Sequence, residues 1–432
     1  MEWIEVIVLV GVFGMLISAG VPISFCIGIA TAVTMLVTIM PMPAVTTVAQ
    51  RMATGLDSFA LLAIPFFILS GQLMNRGGIA RRLIEFAKVL VGMLPGGLAF
   101  VNIMANMLFG SISGSAVAAA SAIGGFMTPL MDKEGYDRDF SAAVNISSAT
   151  TGLLIPPSNV LIVYSLASGG VSIAALFLAG YIPGILLGIM LMSVAAVIAI
   201  RRKYPVGGFV PVREALLKLF DAVPSLLLVV IVMGGIVLGY FTATEASAIA
   251  VLYTFVLSVI VYREVKVSEL PGILLSAAST TAIVMLLIGT SMGMSWILAY
   301  TNIPQNVSAA LLGLTDNKIM ILLIINLILL TVGTFMDMTP AVLIFTPIFL
   351  PVAVGLGIDP VHFGIIIVFN LCIGLCTPPV GSVLFVGAGI ANITIAKIIR
   401  PLMPMFLAMI VSLLIVTYVP DISLFVPRLF GF

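Results

Sequence analysis

Charge is what this chain most lacks. Of its 432 residues only 8% are Asp, Glu, Lys or Arg, against about a quarter in a soluble domain. A water-facing surface cannot be built from so few, and with 62% apolar residues and a mean hydropathy of +1.31 the chain reads as an all-α polytopic membrane protein. Basic clusters are too small for a nucleic-acid partner, and membrane lipid is the expected surrounding. There is one histidine, His362, and three cysteines, Cys26, Cys372 and Cys376. Four-ligand zinc sites are therefore not expected, and Cys372 and Cys376, four apart, read as small apolar packing. No GxxxxGK[ST] segment occurs, which excludes P-loop ATP hydrolysis. No charged n-region of a cleaved signal precedes the first apolar run, so that helix is expected to stay.

Two apolar segments carry a Pro-Pro pair: GLLIPPSN at 152–159 and GLCTPPVG at 374–381. Proline removes a backbone N–H and clashes with the preceding turn, so a helix breaks there. The two segments are related by a constant offset, 378 − 156 = 222, which also pairs Pro129 with Pro351, Gly135 with Gly357, Asp137 with Asp359, Gly152 with Gly374 and Pro157 with Pro379. An internal duplication is implied, with one copy roughly over 59–204 and the other over 280–420.

Apolar runs of about 20 residues mark spanning helices. They fall near 4–18, 22–40, 59–74, 174–200, 223–241, 245–262, 279–298 and 401–419, with broken helices at 140–167 and 361–389. That makes about ten spans. Residues 78–91 and 267–277 read as interfacial and 205–218 as an amphipathic connector. Two further segments, 98–131 and 319–354, are too long for one span and are interrupted by GSISGS (110–115) and GTFMDMTP (333–340). They read as re-entrant hairpins. With both chain ends outside, 15 of the 18 Lys and Arg residues fall on the cytoplasmic side and only Arg51, Lys318 and Arg428 outside, as the positive-inside rule asks. Matched loops swap charge: 132–139 carries Lys133 and Arg138 while 355–361 carries no Lys or Arg; 169–174 carries none while 391–400 carries Lys397 and Arg400. The copies are expected to be inverted, with both hairpin tips meeting at mid-membrane.

A hard cation prefers oxygen ligands. Near the first break these are the hydroxyls of Ser111, Ser113 and Ser115 and carbonyls around Gly152, Ile155 and Pro156; near the second, the hydroxyls of Thr334 and Thr377 and carbonyls around Gly333 and Gly374. One sodium ion per hairpin and broken helix is the expectation. Half-helix N-termini carry partial positive charge, so amides near 113–116 and 158–159, with the side chains of Asn159 and Thr339, are candidates for an anionic substrate. Asp337 sits in the second tip, where an intramembrane carboxylate and a helix N-cap are both open. Thr244 and Glu245, and likewise Asp57 and Ser58, read as helix starts, and His362 as a packed interfacial residue. A hydrolase built from Ser111–Ser115 and His362 would need residues from different copies, and no enzyme is expected.

The segments at 50–71, 110–124, 244–253 and 336–387, the last reading MDMTPAVLIFTPIFLPVAVGLGIDPVHFGIIIVFNLCIGLCTPPVGSVLFVG, resemble the large membrane subunit of tripartite ATP-independent periplasmic (TRAP) transporters over nearly the whole chain. The resemblance implies a bacterial inner-membrane, sodium-driven importer of organic anions such as C4-dicarboxylates or sialic acids, working as an elevator of the ion-transporter-like kind. It implies two partners, a small four-helix membrane subunit carried as a separate protein and a periplasmic substrate-binding protein. Sodium would be held at Gly110, Ser113, Gly152, Ile155 and Pro156, and at Gly333, Gly374, Thr377 and Val380. Substrate would meet Ser111, Ser115, Ser158, Asn159, Asp337 and Thr339. The expected division is scaffold and arm (1–95), first transport half (96–170), scaffold (171–316), second transport half (317–390) and a C-terminal scaffold helix (391–432). A channel, the alternative, would need a continuous polar pore.

Overall fold

The computed structural model describes residues 2–205, 211–315, 317–378 and 381–432. They are helical, with no strand among them. The first arm comprises α1 (Glu2–Ser18), α2 (Ile23–Thr38), α3 (Pro41–Gly55), α4 (Ala63–Arg76) and α5 (Ile79–Val91). The first duplicated unit follows as α6 (Gly97–Ser113), α7 (Ala116–Lys133), α8 (Arg138–Ala149), α9 (Thr151–Leu154), α10 (Asn159–Ala167) and α11 (Ile173–Arg202). Between the units lie α12 (Val212–Val237), α13 (Ala243–Phe255), α14 (Leu270–Tyr300) and α15 (Ile303–Leu314). The second unit is α16 (Lys318–Phe335), α17 (Met338–Gly355), α18 (Pro360–Gly374), α19 (Ser382–Ala391) and α20 (Ile395–Tyr418), with α21 (Asp421–Leu429) at the end. Eight of the described helices are long and apolar enough to cross a membrane, and nine if the bent pair 138–154 and 159–167 counts as one span.

Several expected boundaries move. The described part of the 205–218 connector, from Val212 on, is the start of α12, and 206–210 lie outside the described residues. The separate interfacial piece and span expected over 267–298 are a short 3₁₀ turn at Val267–Glu269 running into one helix of 31 residues, α14. Its only proline, Pro271, sits in the first turn, where the missing N–H costs nothing, and packing against α2, α3, α4 and α17 carries it through. Helices α3 and α15 were not expected from the sequence. The cap expected at Thr244 belongs to Thr242, which forms a capping box with Glu245; the Thr244 hydroxyl donates to the Phe59 carbonyl instead. Ser58 makes no side-chain cap.

Within each unit a helical hairpin packs on the first half of a broken helix. In the first, Asn145 of α8 ties both hairpin arms, accepting from Asn106 Nδ2 on α6 at 3.1 Å and donating to the Ala120 carbonyl on α7 at 2.9 Å. In the second, Asn370 of α18 donates to Asn326 of α16 at 2.8 Å, and Asn326 donates to Thr417 of α20. All four asparagines are buried, and each donates its amide N–H within this packing, which favours one register.

The two units meet antiparallel. The Cys372 thiol points at the Thr150 carbonyl (3.6 Å) and the Cys376 thiol at the Ile146 carbonyl (3.4 Å), so the numbers rise on one helix as they fall on the other. Since 150 + 222 = 372, the first contact joins duplicated positions to each other, which marks a local two-fold axis. Packing is reciprocal about it: α10 lies on α17 and α19 on α7. The loop ends follow suit. Arg138 and Asp139 share one surface groove with Lys397 and Arg400, while at the opposite ends the Tyr164 hydroxyl donates to the Pro360 carbonyl. The two cationic loops thus lie on one face, as the charge swap requires.

Candidate functional site

Each hairpin turns within two residues. Helix α6 stops because Gly114 adopts φ 61°, a left-handed conformation that suits glycine, and its N–H returns to the Gly110 carbonyl at 2.9 Å. Ser115 then caps α7, its hydroxyl accepting from the Ala118 N–H. In the second hairpin Met336 and Asp337 make the turn, and Asp337 stands at the N-cap position of α17 without a side-chain cap bond. Its carboxylate is exposed to a cavity instead.

The broken helices are cut where the Pro-Pro pairs fall. Helix α9 ends at Leu154 and α10 restarts at Asn159, bent by 51°. Helix α18 ends at Gly374, and the Gly381 N–H reaches the Thr377 carbonyl before α19 begins. Pro379 and Val380 lie outside the described residues.

Hairpin and broken helix touch through paired glycines. A Cβ on Gly110 would meet the Gly152 Cα at 2.8 Å, and one on Gly333 would meet the Gly374 Cα at 3.1 Å. Backbone therefore lies against backbone at both places, close to the C-terminal ends of α6, α9, α16 and α18. Those ends present carbonyls free of helical partners. Ser113 is the last residue of α6, and Ile155 and Pro156 follow α9, all buried. The Thr377 hydroxyl donates to the Ile373 carbonyl at 2.8 Å. Both groups offer oxygens and no nitrogen ligand, a donor set that fits a hard alkali cation.

The restarting helices α7, α10, α17 and α19 begin around one cavity of about 210 Å³, lined by Ser115, Asn159, Asp337, Thr339 and Ser382. Four N-termini aim partial positive charge into it. The side-chain oxygens Asn159 Oδ1 and Ser382 Oγ, and the neighbouring Ser158 Oγ, are buried without a hydrogen-bond partner. Among the described residues the wall holds no lysine or arginine and one carboxylate, Asp337. Ser111 and Ser158 do not line it; the Ser111 hydroxyl is spent on the Leu108 carbonyl, and that of Thr334 on Thr331. Sequence reasoning missed Ser382, Ile64 and Ile68 of α4, and Thr280 and Val284 of α14. Nothing local distinguishes Thr280 from the other hydroxyls of α14. His362 is buried and packed as expected, its ring nitrogens 3.2 Å from the Ser423 hydroxyl and 3.3 Å from the Thr417 carbonyl. It faces α20 and α21 and makes no bond to hairpin α6–α7.

The model of the DctM component of tripartite ATP-independent periplasmic transporters matches residues 9–422. The chain belongs to this family. This DctM-family protein is 58% identical to the YgiK protein of Salmonella typhimurium, over 99% of its own length and 98% of that chain. It is 41% identical to the C4-dicarboxylate TRAP transporter large permease DctM of Pseudomonas aeruginosa, over 94% of each. It is 39% identical to the sialic acid TRAP transporter large permease SiaM of Vibrio cholerae, over 96% of each. The YdaH transporter of Alcanivorax borkumensis shares the fold at a TM-score of 0.63 and 14% identity, over 86% of each chain. The DctM-family chain is thus a multi-pass membrane protein whose relatives are transporter permeases.

Proposed function

We propose that this large TRAP permease imports an organic anion of the C4-dicarboxylate or sialic acid class, driven by sodium. The observation that carries the reading is the convergence of four helix N-termini on one cavity, flanked by two glycine-paired clusters of helix C-termini. Amide ends suit the substrate carboxylate and carbonyl ends suit the cation. The printed substrates of the relatives, C4-dicarboxylate and sialic acid, supply the class. Ser115, Asn159, Asp337, Thr339 and Ser382 are the residues placed to meet substrate. Gly110, Ser113, Gly152, Ile155 and Pro156 would serve one sodium ion, and Gly333, Gly374 and Thr377 the other.

In this reading the hairpins α6–α7 and α16–α17 enter the bacterial inner membrane from opposite faces, with both chain ends periplasmic. Hairpins and broken helices slide as one block past the arms, an elevator. Helices α11 and α20 pack against α8 and α18, so in this reading they travel with the block, and the expected scaffold segments narrow to the first arm (α1–α5) and α12–α15. A small membrane subunit and a periplasmic binding protein complete the transporter. In proteoliposomes holding all three, uptake should require a sodium gradient, and Ser113→Ala with Thr377→Ala should raise the sodium concentration needed. Sodium dependence unchanged in that double variant would remove the site assignment; uptake indifferent to sodium altogether would remove the coupling.

A further inference from the structure

The groove between the loop after α7 and the start of α20 is not used by this transport reading. It measures about 650 Å³ and is lined by Asp137, Arg138, Asp139, Lys397 and Arg400, with Ile393 and Ala396 at its edge. Most of its charge is already matched. Arg138 holds Asp132 through two bonds of 3.0 and 2.7 Å. Arg202 pairs with Asp137 at 2.6 Å and with Asp139 at 3.6 Å. Lys397 and Arg400 are exposed and make neither an ion pair nor a side-chain hydrogen bond among the described residues.

These two cations head a particular helix face. Lys397 and Arg400 are three apart on α20, and the same face continues as Met403, Leu407 and Val411, all exposed at 57%, 62% and 37%. From Arg400 to Val411 the helix rises about 16 Å at 1.5 Å per residue, roughly half of a 30 Å hydrocarbon core. Two unpaired cations stand at one end of an apolar stripe one leaflet deep.

We propose that this groove binds the phosphate headgroup of an anionic phospholipid, with Lys397 and Arg400 on the phosphate and an acyl chain along Met403, Leu407 and Val411. Charge decides the occupant: a zwitterionic lipid brings its own cation to the same place, whereas an anionic one leaves its phosphate charge for the pair. A basic pocket at the cytoplasmic membrane surface is a recurrent lipid-headgroup site. The proposal needs only that this end of α20 lies at a membrane surface, and it stands whether or not sodium drives transport.

Native mass spectrometry of the intact chain, released from micelles doped with equal phosphatidylglycerol and phosphatidylcholine, tests it. The expected result is preferential retention of phosphatidylglycerol. Lys397→Gln with Arg400→Gln should weaken that retention by about thirtyfold, the usual worth of two basic residues at an anionic surface. Lys88→Gln with Arg213→Gln, which removes the same charge from exposed sites elsewhere, should leave it unchanged. Equal retention of both lipids by the unmodified chain, equal loss in both double variants, or inorganic phosphate displacing the phosphatidylglycerol would each overturn the proposal. The unmodified chain supplies the first and third outcomes even if a variant misfolds.

Discussion

At Gly152 there is no room for a methyl group. A Cβ there would run into the Gly110 backbone, and one on Gly374 would sit 2.6 Å from the Gly333 Cα. Gly152→Ala and Gly374→Ala should each lower stability by about 1–3 kcal/mol, the usual cost of overpacking, read as a lowered unfolding temperature in detergent. Transport should fall further than stability, since the displaced helix ends are the proposed cation sites. Asn159→Asp should raise the substrate concentration for half-maximal uptake by at least about tenfold, or 1.4 kcal/mol, because it adds a carboxylate where an anion is expected. A substrate dependence unmoved by Asn159→Asp would place the anion elsewhere. These glycines and Asn159 were legible because the repeat offset and the Pro-Pro breaks point at them. The offset is imperfect, however: the touching hairpin glycines differ by 333 − 110 = 223 while their partners differ by 374 − 152 = 222. Ser382 and Thr280 could not be read, because they reach the cavity only through the packing of separate helices.

At the scale of elements, strong local chemistry was readable and weak local chemistry was not. Pro-Pro breaks and the glycine-bearing hairpin tip at Gly114 fall where the residues require them. Helix α14 runs through the join expected between 277 and 279, where Ser279, Thr280 and Thr281 stay helical because its neighbours hold them. The loop between α7 and α8 shows a latch of another kind. The Tyr204 hydroxyl donates to Asp137 at 2.6 Å and Arg202 pairs with the same carboxylate. These partners, the tyrosine first, hold the Asp137 carboxyl below its ordinary range. A group depressed on folding stabilises above its unfolded pKa and loses that contribution as pH falls through its folded pKa. The unfolding temperature of the parent should therefore exceed that of Asp137→Asn at pH 7, and the difference should begin to narrow below about pH 4, the ordinary carboxylate value, and go on shrinking as pH falls through the lower folded value. A gap constant from pH 7 to pH 3 would show that the ionised latch does not matter.

For the whole molecule, inversion is the claim most open to direct test. Single cysteines replacing Gly135 and Asn392 in a chain lacking Cys26, Cys372 and Cys376 should be labelled by an impermeant thiol reagent from the same side of the membrane. Cysteines at Gly169 and Gly357 should be labelled from the other. Gly135 and Gly357 reacting from one side would show two copies in the same orientation. The inversion was visible in the loop charges, and the groove shared by Arg138 and Lys397 bears it out in three dimensions. The sequence did not show which helices pack on the broken helices α8 and α18, because the long apolar runs of α11 and α20 are distinguished only by their neighbours.

The contact of Thr150 with its own counterpart, Cys372, has a thermodynamic corollary. In the proposed elevator, a local two-fold relation between the units would let its two end states exchange the roles of the units. Such a scaffold has no built-in preference for import over export. Whatever accumulates solute must come from outside the fold, from a gradient on one side or a delivery partner that docks on only one face.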